Sequence, residues 1–480
     1  MKNTNIMQTI KLKEKIGYGF GDMASSMFWK IFGMYLLFFY TDVFGITAAA
    51  AGTMFLIARL WDSFFDLFVG LVADRTKTRW GRYRPYLLWF AIPFAVMGAF
   101  TFFVPGFGEV GKLVYAYITF SLMMIVYSMI NVPYASLLGV MSSDPKERNV
   151  LSSYRMSFAF IGSFITFMLL QPLINKYAGA FDSTALSVPG KISTSPIGWV
   201  MGVATIGAIC SILFFICFLW TRERVEAVNE TENEKASVKQ DLKNLWHNAP
   251  WWILVGTGLA ALLFNAVRDG VAIYYFRDYV KVLYEMPGTG WDMTTIYFLT
   301  GQAANLVGVI VAPAISAKYG KKRTYMIAIG IAGILSAIFF YIPNQIHWIL
   351  LMQALISLCA GYVLPLLWSM FADIVDDQEV KTNRRASGLI FSSSSMSQKL
   401  GWAVGAFLTG WVLAMFNYNP ELAKLGLEQS AQTIFGQRMM ISLLPAVCCI
   451  IAFFGMMFYP LTDKRVKENA EELEQRRQNK

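Results

Sequence analysis

The sequence predicts an all-α membrane protein with twelve transmembrane helices arranged as two pseudo-symmetric six-helix bundles. Three observations lead there. The 480 residues are 56% hydrophobic and only 15% charged, whereas a soluble chain carries about 25% charged residues. Twelve apolar runs approach the length of about 20 residues that a helix needs to cross a bilayer. One long polar stretch, 221–250, divides these runs six and six.

The runs lie at roughly 16–41, 48–72, 84–104, 113–140, 151–174, 199–220, 251–276, 292–317, 323–342, 346–372, 386–415 and 438–461. The expected division is a first bundle over 1–220, a linker over 221–250, a second bundle over 251–462 and a charged tail over 463–480 that frays in solvent. Short basic loops recur at matching places, with Gly81-Arg82 after the second run and Gly320-Lys321 after the eighth. Such an echo suggests two repeats related by an axis along the membrane normal. The Gly-, Ser- and Pro-bearing segment 175–198 reads as a loop.

An even number of crossings places both termini on one side. The segment 74–86 holds Arg75, Lys77, Arg79, Arg82 and Arg84, and 318–323 is similarly basic, while 44–50, 105–112 and 342–346 hold a single lysine between them. By the positive-inside rule both termini are cytoplasmic, in a bacterial inner membrane, and the net charge of +10 reflects loops that face anionic lipid rather than nucleic acid. The first fifteen residues are polar and lysine-bearing, without the apolar core of a cleaved signal. All five cysteines fall in apolar runs and read as packing.

The second run carries unusual charge. Residues 59–75 read RLWDSFFDLFVGLVADR. At about 100° per residue, with Arg59 at 0°, Asp62 falls near ~300° and Asp66 near ~340°, so the three share one face. A charge at the bilayer centre costs at least about 2.5 kcal/mol, so this stripe faces protein or a watery cavity. Two stacked carboxylates can hold a cation between oxygens, or share a proton because like charges raise one pKa. Arg59 can neutralise one of them when the ion is absent. A purely structural ion cluster is the alternative.

Polar groups recur at middle depth elsewhere: Asp22, Ser26, Trp29 and Lys30 in the first run; Tyr127, Ser128, Asn131 and Tyr134 in the fourth; Asn265, Arg268 and Asp269 in the seventh; Gln302 and Asn305 in the eighth; Lys399 in the eleventh. Polar side chains interleaved with aromatic rings suit a sugar, although for a single Asn, Gln or Tyr a helix–helix hydrogen bond explains the residue equally well. His247 and His347 both sit in or beside loops, which leaves no histidine relay or metal site. GYGFGD (17–22) lacks the strand and the G-x-x-x-x-G-K-[ST] pattern of a phosphate loop, and its glycines read as points of close helix approach. With no histidine or cysteine constellation at membrane depth, an enzyme is excluded.

GYGFGD (17–22), YTDVFGI (40–46), the stretch 59–86, NVPYASL (131–137), ADIVDDQE (372–379) and the lysine of SQKLGW (397–402) together resemble the glycoside–pentoside–hexuronide:cation symporter family. This is the melibiose-carrier branch of the major facilitator superfamily, and the similarity runs the length of the chain. It implies a carrier that works by alternating access, couples sugar uptake to H⁺, Na⁺ or Li⁺, needs no cofactor and acts as a monomer. By motif position, Asp62 and Asp66 would bind the coupling cation with Arg59 as charge partner. Lys399 would approach that cluster from the second bundle, and Arg155 would lie by the sugar path or gate.

The chain departs from melibiose carriers in having Asn131 and Ser26 at or near aspartates, Ala135 for a tryptophan, and Phe65 for an asparagine between the two carboxylates. The first changes argue against melibiose itself. The last removes a neutral oxygen that a metal ion would use and favours the proton, although Ser128 and backbone carbonyls can complete a Na⁺ site on Asp62 and Asp66. The expected sugar contacts are Asp22, Ser26, Lys30, Tyr127, Asn131, Tyr134, Arg155, Arg268, Gln302 and Asn305. An acidic sugar would answer the extra cations Lys30, Arg268 and Lys399, but a neutral glycoside or pentoside stays ahead. The rival function is a membrane sensor that binds sugar without moving it.

Overall fold

The structure is a computed structural model, which describes residues 10–142, 145–182, 192–224, 245–282, 285–382, 387–424 and 427–478. Among these, helix is nearly the only regular structure. The first half contains α1 (Leu12–Lys30, prolonged by π-helical turns to Phe44), α2 (Ala48–Arg75), α3 (Arg84–Thr101), α4 (Glu109–Met141), α5 (Pro145–Phe181) and α6 (Pro196–Trp220). The second contains α7 (Ala249–Tyr275), α8 (Met293–Tyr319), α9 (Lys321–Phe339), α10 (Ile346–Thr382), α11 (Ser387–Met415), α12 (Ala431–Ile441), α13 (Leu443–Met457) and α14 (Asp463–Gln478). Each expected apolar run coincides with a helix, the last being α12 and α13 in succession. Among the described residues, nine helical segments are long and apolar enough to cross a membrane.

Local chemistry sets several helix starts. Thr47 caps α2 by accepting from Ala50 N, Asn248 caps α7 by accepting from Trp251 N, and Ser430 caps α12 by accepting from Thr433 N. Prolines stand inside α3, α4, α5, α8 and α10 (Pro93, Pro133, Pro172, Pro313 and Pro365), as packed membrane helices tolerate.

The chain divides into two compact units. The first is Met1–Val228 with Val282–Ile296 and Pro420–Leu427; the second is Asn229–Lys281, Tyr297–Asn419 and Glu428–Lys480. Within the first, α1 is the hub and packs on α5 and α6. The glycines of GYGFGD let it. An added Cβ would lie 2.6 Å from Trp220 at Gly17 and 2.7 Å from Phe158 at Gly19, and would enter the Tyr134 ring at Gly21.

The start of α3 is held by a side chain some 140 residues away. The Glu223 carboxylate, just beyond α6, accepts from Arg82 N, Tyr83 N and Arg84 N at 2.8, 2.8 and 2.9 Å. Gly81 adopts φ +111°, and a Cβ there would collide with that carboxylate. Arg224 then pairs with Glu14 at 2.7 Å. In the second unit the start of α9 repeats the scheme: Gly320 has φ +86°, and Asp463, just beyond α13, accepts from Lys321 N at 3.2 Å. The echo between the two basic loops is therefore structural.

Three expectations change. The tail over 463–480 does not fray over its described part: α14 buries Leu473, Asn469 Nδ2 donates to Asp377 Oδ1 at 3.1 Å, and Arg476 donates to Val380 O at 3.2 Å. The loop expected from 175 begins later, because α5 runs to Phe181; residues 183–191 lie outside the described residues. Most of the linker, 225–244, also lies outside them, but Thr221–Arg224 folds back onto the first unit.

Candidate functional site

In the first unit the site grows from the open face of α1. The apolar window of its span is 83% buried. Between Gly21 and Leu36 the partly exposed residues are Asp22, Ser26, Trp29, Lys30 and Gly33. Their 4-3-4 spacing makes one stripe, with Lys30 at its edge. Between Gly21 and Leu36 this largely enclosed helix thus opens along that stripe.

Two charge clusters adjoin that stripe. In the first, Arg155 Nε donates to Asp22 Oδ2 at 3.1 Å, and the guanidinium lies over the Tyr134 ring, 5.4 Å from its centroid. Tyr134 is itself fixed, stacked on Tyr18 at 4.8 Å with its hydroxyl donating to Tyr18 O at 2.6 Å. It is buried and serves as the platform for Arg155, so its place as an expected sugar contact shifts to support.

In the second cluster Arg59 Nη1 stands 3.6 Å from Asp62 Oδ2, and Ser128 donates to Asp62 Oδ1 at 2.7 Å. Asp62 is 1% exposed. Asp66, one turn on, is half-buried. The exposed residues of α2, Ile57, Leu60, Trp61, Phe68 and Leu71, fall about 100–200° from Arg59 around the axis, so the three charges occupy the inner face. Phe65 is half-buried beside Phe68, with ring centroids 5.7 Å apart.

Aromatic rings tie the second cluster to the stripe of α1. The Arg59 guanidinium lies 4.6 Å from the Trp29 ring centroid, and Trp29 lies 6.1 Å from Tyr127. Asn131 donates to Tyr127 O at 3.0 Å, and Lys30 stands over the Phe167 ring at 5.8 Å.

The second unit sorts its candidates differently. Arg268 is 3% exposed: its Nε donates to the Tyr297 hydroxyl at 3.0 Å, its Nη2 to Gln353 Oε1 at 2.7 Å, and its face covers Phe339 at 5.3 Å. Gly301 leaves room for that Gln353 amide. The structure therefore places Arg268 among α7, α8, α9 and α10, inside the unit. Its neighbours Asn265 and Asp269 lie on the partly open side of α7. Gln302 is buried, while Asn305 and Lys399 are half-buried. Sequence spacing places Trp29 only on the stripe of α1. Its contact with Arg59 had no sequence signal, because it joins two helices.

The chain has recognisable relatives. It is 32% identical over 468 residues to the putative glycoside/cation symporter YagG of Escherichia coli (strain K12), covering 97% of this chain and 96% of that protein. It is 33% identical over 466 residues to the isoprimeverose transporter of Lactiplantibacillus pentosus, covering 96% and 91%. The crystal structure of the nucleoside transporter NupG superposes with a TM-score of 0.63 at 14% identity, covering 94% of this chain and all of that one. That distant likeness shows the major facilitator fold. These relatives are transporters, not enzymes, and the family model for MFS/sugar transport proteins matches residues 17–463. With a multi-pass helical architecture and a charged, aromatic-lined stripe inside it, this chain belongs to the MFS/sugar transport protein family.

Proposed function

We propose that the protein is a secondary active symporter that imports a glycoside or pentoside together with a cation, the proton ahead of Na⁺, by alternating access. The observation that carries this reading is the pair of charge clusters beside the open stripe of α1. Arg155–Asp22 on the open stripe of α1 offers a guanidinium and a carboxylate to sugar hydroxyls. Arg59–Asp62–Ser128 offers a carboxylate already balanced by a cation. Ser26, Lys30, Asn131, Gln302 and Asn305 complete the proposed sugar contacts, and Lys399 completes the proposed cation site with Asp66. Arg268 is assigned a supporting role, since its donors are committed to Tyr297 and Gln353.

An arriving cation displaces Arg59 from Asp62, and sugar draws on Arg155 and Asp22. Each ligand then raises affinity for the other. A proton needs one carboxylate and no further oxygen, which suits a site where Phe65 stands between the carboxylates. All twelve runs cross the membrane in this scheme, with both termini cytoplasmic and the bundles at 1–220 and 251–462. Relatives named for glycosides, for isoprimeverose and for a glucuronide support a sugar or glycoside substrate.

The test is uptake by proteoliposomes of labelled xylosides, galactosides and glucuronides under a pH or a Na⁺ gradient. Uphill accumulation driven by one gradient is expected for the wild type, and its loss for Asp62→Asn and for Asp66→Asn with membrane insertion intact. Wild-type accumulation by either variant overturns the cation assignment. Sugar binding without counterflow overturns transport.

A further inference from the structure

We propose that Trp29 is the coupling residue between the two ligands: it serves as the second docking place of the Arg59 guanidinium and as one wall of the sugar site. This rests on the symport reading and assigns the physical link within it. Arg59 stands beside two groups of different kinds, the Asp62 carboxylate at 3.6 Å and the indole face of Trp29 at 4.6 Å. The guanidinium keeps its charge at every relevant pH. When a cation takes Asp62, that charge needs another favourable place in a region where Arg59 is only 7% exposed. The indole face is such a place, because a ring quadrupole attracts a cation most strongly where water is excluded.

Trp29 also belongs to the open stripe. It follows Asp22 and Ser26 on one face of α1 and remains partly exposed, while Met27 and Phe28 beside it are fully buried. A sugar held by Arg155 and Asp22 along this stripe reaches the indole next. Contact there fixes the ring, and a fixed ring holds Arg59 away from Asp62. Sugar thereby lowers the cost of cation binding, and by reciprocity the cation lowers the cost of sugar binding. The Tyr127 ring lies 6.1 Å from the indole.

The experiment measures half-saturating H⁺ and Na⁺ with and without nitrophenyl xyloside, galactoside and glucuronide, on reconstituted wild type, Trp29→Phe and Trp29→Leu. For the wild type, at least one glycoside sharpens apparent cation affinity. Trp29→Phe, which keeps a ring face, retains most of that enhancement. Trp29→Leu reduces it by roughly tenfold, within the range of a partly desolvated cation–π contact, and also weakens cation binding without sugar, because Arg59 loses its other docking place. A merely structural role would weaken both ligands together and leave the enhancement ratio unchanged; that result, or a wild-type ratio in Trp29→Leu, overturns the inference alone. A wild type without enhancement by any probe overturns the symport reading itself. Should Trp29→Leu fail to insert, Trp29→Met, which keeps the bulk without the ring, is read by the same criteria.

Discussion

Replacing Glu223 with alanine removes the carboxylate that receives three consecutive amides at the start of α3, all within 2.9 Å. An N-cap contributes about 0.5–2 kcal/mol, and a hydrogen bond to a charged group about 1.5–3 kcal/mol. Glu223 is half-buried, so water takes over part of the lost bonding, and one carboxylate shared among three donors gives less than three separate bonds. A loss of ~2–3 kcal/mol follows for the first unit. For a unit of this size that is about 4–12 °C in Tm, read by thermal unfolding of the purified protein in detergent. Glu223→Gln, whose carbonyl still accepts but carries no charge, falls between. Asp463→Ala in the second unit is the internal comparison: its carboxylate is exposed and receives Lys321 N alone at 3.2 Å, so its shift is the smaller. An unchanged Tm for Glu223→Ala, or an equal shift for Asp463→Ala, refutes the reasoning.

Gly162→Ala places its methyl against the carbonyl of Met23, which is backbone and cannot rotate away; overpacking of about 1–3 kcal/mol is expected, seen as reduced yield and Tm. Gly21→Ala displaces the Tyr134 ring and with it the platform of Arg155, so sugar KM rises along with the loss of stability. Asp22→Asn and Arg155→Gln each raise sugar KM, and the double variant is no worse than the more damaged single one, because both break one pair; strict additivity would show that they act apart. Arg268→Lys loses the fork shared by Tyr297 and Gln353 and lowers Tm with sugar KM little changed, whereas a KM effect without a stability loss would return Arg268 to the sugar site.

Much of the site was legible because helix arithmetic is local. Residues 22, 26 and 29 share a face whatever surrounds them, and 59, 62 and 66 do likewise, so the stripe on α1 and the inner face of α2 followed from spacing. The same arithmetic left Arg268 open. It stands beside Asp269 in the chain but about 100° away around the axis, and nothing local decides which of the two faces the interior of a unit. Burial decided it: Arg268 turned inward to two neutral partners and Asp269 outward.

The sequence by itself determined that this is a many-helix membrane protein, because a bilayer demands long apolar helices, and the motifs spread along it carried the resemblance to a sugar-transporting family. Only the tertiary structure decided the joining of parts distant in the chain: Glu223 on α3, Asp463 on α9, Asn469 on Asp377, and Trp29 on Arg59. Periodicity reports which face of a helix is polar. Which distant group that face meets depends on how the helices pack, and no single run of residues records that.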